Sequence, residues 1–142
     1  MITNPGSAFV VPYFENGDTM LVRQWRHAWD TSSWEVPAGT TDPGEDPLEC
    51  ARRELAEETG LVAARYRSLG IVRGAAILTG PAHLYLAEEL TESNRSPERY
   101  EQDMEVMRLP FREALDAALE GEIMHSGSIT ALCRAARALT IL

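Results

Sequence analysis

Gly39-Thr40-Thr41-Asp42-Pro43-Gly44-Glu45-Asp46-Pro47-Leu48-Glu49-Cys50-Ala51-Arg52-Arg53-Glu54-Leu55-Ala56-Glu57-Glu58-Thr59-Gly60-Leu61 is the most specific stretch of this chain. A glycine-containing loop runs into a short helix whose end carries three carboxylates. Glu57 and Glu58 follow Glu54 at helical spacing, so the three project from one face. Like charges at that spacing repel, and the helix C-terminus adds its own negative potential. A hard divalent cation relieves both penalties, and Mg2+ or Mn2+ prefers such oxygen ligands. Local chemistry also bounds the helix. Asp46 is a candidate N-cap, Pro47 suits the first position, and Glu49 completes a capping box. Gly60 can take the left-handed conformation that ends it. Leu48, Ala51, Leu55 and Ala56 form the expected buried stripe.

Taken whole, the stretch resembles the Nudix box, G-x5-E-x7-R-E-U-x-E-E-x-G-U with U aliphatic. Gly39, Glu45, Arg53, Glu54, Leu55, Glu57, Glu58, Gly60 and Leu61 fill every fixed position. An isolated acidic run would read as a solvated helix face laced with pairs such as Arg53–Glu57 or Glu49–Arg53. The glycines and Glu45 in register outweigh that reading. The resemblance implies that Glu54 and Glu58 are direct ligands of Mg2+, with Mn2+ as a substitute. It implies that Glu57 serves a second ion or a bound water and belongs, with Arg53, to the catalytic set. The carbonyl of Ala38 supplies a further oxygen, and Glu45 and Arg53 brace the loop against the helix.

The rest of the chain agrees with one soluble enzyme domain spanning residues 1–142. That length suits a single core. A formal net charge of -9 disfavours an electrostatic grip on nucleic acid or an anionic membrane. No apolar run reaches membrane-spanning length, and the N-terminus lacks a signal-peptide pattern. Cys50 and Cys133 are too few for a disulfide scaffold and read as reduced thiols of a cytoplasmic protein.

Strands are expected at Ala8–Phe14 and Thr19–Trp25, joined through Glu15-Asn16-Gly17-Asp18, where Asn-Gly signals a hairpin. Further strands are expected at Trp34–Val36, Arg65–Arg73, Ala82–Ala87 and Glu105–Leu109. Pro110 opens a helix to about Leu119, closed by Gly121. Ser126 or Ser128 caps a last helix with Ile129, Leu132, Cys133, Ala136 and Leu139 on its apolar face. Mixed strands between helices give an α/β (α+β) class, a mixed β-sheet sandwiched between helices, which matches the Nudix fold.

Arg23-Gln24-Trp25-Arg26 and Trp34-Glu35-Val36-Pro37-Ala38-Gly39 resemble the ADP-ribose pyrophosphatase and nucleotide-sugar branch. That resemblance gives Arg26 a substrate contact, and a guanidinium suits a phosphate or ribose. Arg23 reads as a solvated strand-end charge. Trp25, Trp29 and Trp34 read as core or interface packing, with Trp29, in the loop Ala28–Ser33, the exception that can touch substrate. Glu101-Gln102-Asp103-Met104-Glu105 resembles the acidic loop bearing a catalytic glutamate, with Glu101 the best match. In other versions of that loop the glutamate falls where Gln102 stands. Asp103 and Glu105 read as solvated charges, and lone histidines such as His83 and His125 are not expected to act as bases.

Two features depart from the branch. Arg73–Pro81 has no proline at the branch's expected place and no carboxylate, which bears on ADP-ribose itself. The N-terminus lacks the additional strand region through which dimeric members reach across, so a homodimer is compatible only by another route. The resulting expectation is a metal-dependent hydrolase of a nucleoside diphosphate linked to X, a small-molecule substrate such as ADP-ribose or another nucleotide sugar. The alternative is a catalytically silent binding domain, but such relatives lose box carboxylates that this chain keeps. An EF-hand is excluded because its alternating loop ligands are absent.

Overall fold

The computed structural model describes residues 1–93 and 104–142. Its strands are β1 (Ser7–Pro12), β2 (Asp18–Arg26), β3 (Thr31–Glu35), β4 (Ala38–Thr40), β5 (Leu61–Val72), β6 (Ala82–Glu92) and β7 (Glu105–Pro110). Its helices are α1 (Pro47–Thr59), α2 (Phe111–Glu120) and α3 (Ser126–Ala138), with a 3-10 turn at His27–Trp29.

β1 is the strand on which the architecture turns. Successive side chains of a strand point to opposite faces, and β1 is apolar on both. Ala8 and Val10 join Cys50, Ala51 and Leu55 of α1, while Phe9 and Val11 join α2 and α3. A strand buried on both faces needs neighbours on both edges to satisfy its backbone. β4 takes one edge antiparallel and β6 the other in parallel, giving a mixed sheet in the order β4-β1-β6-β5. α1 covers one face of that sheet and α3 the other, which is the expected layering.

The expected β1–β2 hairpin is a correction. The turn forms, with the Phe14 N–H donating to Asp18 O at 2.8 Å, the Gly17 N–H to Phe14 O at 2.9 Å, and Gly17 at φ 93°. The strands then part, because both edges of β1 are occupied. β2 centres a separate antiparallel sheet, β3-β2-β7.

Other boundaries moved for local reasons. β5 starts at Leu61, straight after Gly60, and β6 runs on to Glu92 because the two pair along their length. Pro37, with no N–H to give a ladder, divides β3 from β4. Gly60 ends α1 at φ 74° as expected. Asp46 and Pro47 stand at the expected positions, but no side-chain cap bond forms, and Glu49 pairs instead with Arg52 at 2.8 Å. The buried stripe of α1 is Cys50, Ala51, Leu55 and Glu58, while Leu48 and Ala56 are half-buried. His125, not a serine, is the N-cap residue of α3. The Ser128 hydroxyl is used elsewhere, accepting the Val36 N–H at 3.0 Å and so tying α3 to the end of β3. Both cysteines are free. Among the described residues no helix is long and apolar enough to cross a membrane.

Candidate active site

The turn between β3 and β4 and the C-terminal half of α1 meet at Gly39. A β-carbon there would lie 2.1 Å from Glu54 Oε1, so only a glycine lets the helix carboxylate this close to the backbone. The Cys50 thiol, donating to Gly39 O at 3.5 Å, holds the same contact from below. One residue earlier, the Ala38 N–H donates to Glu58 Oε1 at 2.9 Å. α1 is thereby registered on the turn by two of its three carboxylates.

Arg53 organises the other side. Its Nε and Nη2 grip Glu45 at 2.8 and 2.9 Å. Its Nη1 reaches Glu54 at 2.8 Å and Glu57 at 3.2 Å, and its Nη2 also donates to Thr40 O at 3.2 Å. Glu45 in turn accepts the Asp42 N–H at 3.0 Å, closing the loop that precedes α1. The Arg53 guanidinium holds the Glu45 carboxyl down to about 2.

The box carboxylates are not at ease. Glu58 is only 4% exposed. Burial pushes its carboxyl up to about 8, against the Ala38 hydrogen bond, with Glu54, Glu35 and Glu57 adding repulsion. Burial likewise raises Glu54, with Glu57 and Glu45 adding to it against the pull of Arg53. Among the described residues, no three His, Cys, Asp or Glu side chains converge into a ready cage. Arg53 stands between Glu54 and Glu57, and Glu58 faces Ala38. The donor set nevertheless suits a hard cation. It is all oxygen, and its buried carboxylates lack full compensation, which is what a divalent ion supplies.

Beside Glu58 lies a second cluster. Glu35, 1% exposed, is held in a bidentate pair by Arg26 Nε at 2.8 Å and Nη2. His125 Nδ1 stands 3.7 Å from Glu35 and 2.8 Å from Ser128 Oγ. Burial lowers the His125 imidazole below its ordinary value, against the pull of Glu35. The His125 ring stacks on Phe9 with centroids 5.4 Å apart and faces Trp29 at 6.3 Å.

The NUDIX domain profile matches residues 3–127. The chain belongs to the Nudix family. Over 127 residues it is 36% identical to an ADP-ribose pyrophosphatase of Mycobacterium tuberculosis, a match covering 87% of this chain and 61% of that protein. Over 139 residues it is 30% identical to an ADP-ribose pyrophosphatase of Bacillus subtilis, covering 93% of this chain and 72% of the relative. A crystal structure of an ADP compounds hydrolase superposes with TM-score 0.83 at 22% identity, covering 96% of this chain and 74% of that one. That last likeness concerns the fold alone.

On this Nudix scaffold the structure gathers Ala38, Arg53, Glu54, Glu57 and Glu58 into one patch and sets Arg26 and Trp29 next to it through Glu35 and His125. Glu101, Gln102 and Asp103 lie outside the described residues. Glu105 pairs with Arg23 across β2 and β7 at 3.3 Å, both exposed, as expected of a strand-edge charge. Trp34 packs against the core, whereas Trp25 does not, being 58% exposed on the outer face of β2. Sequence reasoning gave Glu35 no role of its own and Ser128 only that of a helix cap. A lone carboxylate between Trp34 and Val36 in a buried strand was the available signal for Glu35, and Ser128 offered none beyond its place in a helix.

Proposed function

We propose that this Nudix enzyme hydrolyses the diphosphate of a nucleoside diphosphate linked to X, with ADP-ribose or another nucleotide sugar as substrate. The products are a nucleoside monophosphate and a phosphorylated X. Glu54, Glu57, Glu58 and the Ala38 carbonyl would hold Mg2+, which Mn2+ can replace. The observation that carries this reading is the pair of carboxylates, the half-buried Glu54 and the buried, undercompensated Glu58, pressed on the Ala38–Gly39 turn. When bound, the cation supplies neutralisation of diphosphate charge and polarisation of the attacking water.

The chain's own residues do the rest. A water oxygen bonds to one phosphorus as that phosphorus parts from the bridging oxygen, which leaves with the other phosphate. The water's proton passes to a carboxylate, for which Glu101 is the candidate. Arg53 holds Glu54 and Glu57 in place, and the Arg26 guanidinium meets a substrate phosphate or ribose. The names of the two pyrophosphatase relatives support ADP-ribose, while the departure at Arg73–Pro81 keeps other nucleotide sugars in view. A binding-only role is the second reading, and the intact box weighs against it. A small-molecule substrate, neither nucleic acid nor membrane, fits the acidic charge. A cytoplasmic site fits the free thiols.

The test is a hydrolysis screen of ADP-ribose, GDP-mannose, NADH and nucleoside triphosphates with Mg2+ or Mn2+. A nucleotide sugar should be cleaved best, and excess EDTA should abolish turnover. Full turnover in EDTA would sink the metal reading. A triphosphate preferred about tenfold in kcat/KM over every sugar would sink the branch, since tenfold is about 1.4 kcal/mol of transition-state binding.

A further inference from the structure

We propose that the cavity walled by Trp29 and His125, beside Arg26, binds the planar base of the nucleotide half of the substrate. This rests on the hydrolase reading above and adds the subsite that would recognise the base. The cavity holds about 380 Å³ and is lined by Trp25, Arg26, His27, Ala28, Trp29 and His125. That lies within the roughly 300–1,000 Å³ of small-ligand sites.

Three features make it a stacking site. Trp29 is 45% exposed and shares the cavity with Trp25, 58% exposed, so two large rings are bared together at one site. Trp29 is also fixed. The 3-10 turn His27–Trp29 is closed by Asp30 in the left-handed region at φ 51°, whose N–H donates to His27 O at 3.1 Å. A non-glycine residue persists there only when its surroundings hold it. The opposite wall is fixed as well, because the His125 ring lies on Phe9 at an interplanar angle of 21° and its Nδ1 meets Ser128 Oγ at 2.8 Å. The two rings stand 6.3 Å apart, tilted 50° to one another, so His125 props Trp29 and a base would stack on the exposed part of the Trp29 ring.

Chemistry then favours a base over a sugar. A base needs an open ring face, which the exposed Trp25 and Trp29 supply, and the same lining carries the Arg26 guanidinium for an adjoining phosphate. The neighbouring Glu35 carboxylate is taken by Arg26. Among the described residues Glu35 is also the sole side-chain partner of Arg26, through Nε and Nη2. A phosphate beside the base would meet the Arg26 guanidinium, which lines the same cavity. Aromatic stacking accepts any base, since each has a π-face.

The experiment titrates AMP, and separately ribose 5-phosphate, into the full chain in EDTA while following tryptophan fluorescence and heat. Hydrolysis plays no part, so the outcome is independent of whether the substrate reading holds. AMP should quench saturably, and ribose 5-phosphate should not. Trp29→Ala should weaken AMP about tenfold or more, and Trp29→Phe, which keeps a ring, at most about threefold. Steady-state KM for the preferred diphosphate should rise in step with the AMP constant, with a much smaller change in kcat. Equal binding of AMP and ribose 5-phosphate, no saturable AMP binding, or an unchanged constant in Trp29→Ala would each overturn the proposal. If Trp29→Ala melts early, the wild-type comparison of the two ligands and the Trp29→Phe variant still decide it.

Discussion

Replacing Glu58 by glutamine should stabilise the metal-free protein, and do so more as pH rises. Glu58 is buried, and in the folded chain its carboxyl is raised from 4.5 to about 8, chiefly by burial. Below pH 4.5 the carboxyl is protonated in both folded and unfolded chains, and ionisation costs nothing. Between 4.5 and 8 the unfolded chain releases the proton while the folded chain keeps it, so stability falls as pH rises. The slope is about 1.4 kcal/mol per pH unit, which accumulates to about 3 kcal/mol by pH 7 and levels off above about pH 8. Glutamine copies the protonated form and still accepts the Ala38 N–H, so it should escape the loss. Urea unfolding in EDTA at pH 5 and pH 7 measures this. The variant should match wild type within about 1 kcal/mol at pH 5 and exceed it by about 3 at pH 7. Adding Mg2+ at a hundred times its dissociation constant should then stabilise wild type by about 2.7 kcal/mol and the variant by less. A variant less stable than wild type at pH 7 in EDTA, or a difference that ignores pH, refutes the reasoning.

Glu101→Gln should lower kcat about 10²–10⁴-fold with Mg2+ and AMP binding retained by titration; near-normal kcat would move the base to Asp103 or Glu105 or leave water activation to the metal. Gly39→Ala puts a methyl group where Glu54 Oε1 stands, 2.1 Å away. The half-saturating Mg2+ concentration, read from rate against metal, should rise about tenfold or more if one ligand's contribution, worth at least about 1.4 kcal/mol, is lost. Glu35→Gln removes the ionic partner of Arg26, so KM should rise more than kcat falls, and the melt should report a loss of about 1–3 kcal/mol for a charged hydrogen-bonded pair. Unchanged KM in that variant would detach Arg26 from the substrate.

The box was legible because its chemistry is local. Caps, glycines and carboxylates at fixed helical offsets determine α1 and its acidic face whatever surrounds them. The same is true of α2, whose start beside Pro110 and end at Gly121 follow from backbone constraints on single residues. Tertiary competition is what local reading could not weigh. Asn16-Gly17 does make its turn, but whether a turn joins paired strands depends on whether β1 has a free edge, and β4 and β6 take both. Ser126 and Ser128 are good caps in isolation, yet Ser128 is drawn to Val36, some ninety residues away in sequence. The pairing of Glu35 with Arg26, and its approach to His125, escaped for the same reason. Their chemistry exists only when β3, the start of α3 and the turn after β2 are brought together.

The metal-free site is a compromise among charges that the fold cannot disperse. Four glutamates, Glu35, Glu54, Glu57 and Glu58, crowd the ends of β3 and α1, and isolated carboxylates there would be costly to bury. Two guanidiniums answer part of that cost. Arg26 binds Glu35 on one flank, and Arg53 binds Glu54 and Glu57 on the other. Glu58, between the flanks, has only a backbone N–H as partner among the described residues, and burial raises its carboxyl so that it holds its proton to higher pH. The residue least compensated by the protein is thus the one most in need of an external cation, and it stands where both arginine-held groups adjoin. A cation entering beside Glu58 would displace that proton, so its affinity should rise with pH up to about 8. The same arrangement pairs Arg26 with Glu35 where Arg26 and Trp29 line one cavity. Charge balance at the box and orientation of the neighbouring recognition groups therefore meet at Glu35, a buried carboxylate that pairs with Arg26 beside Glu58.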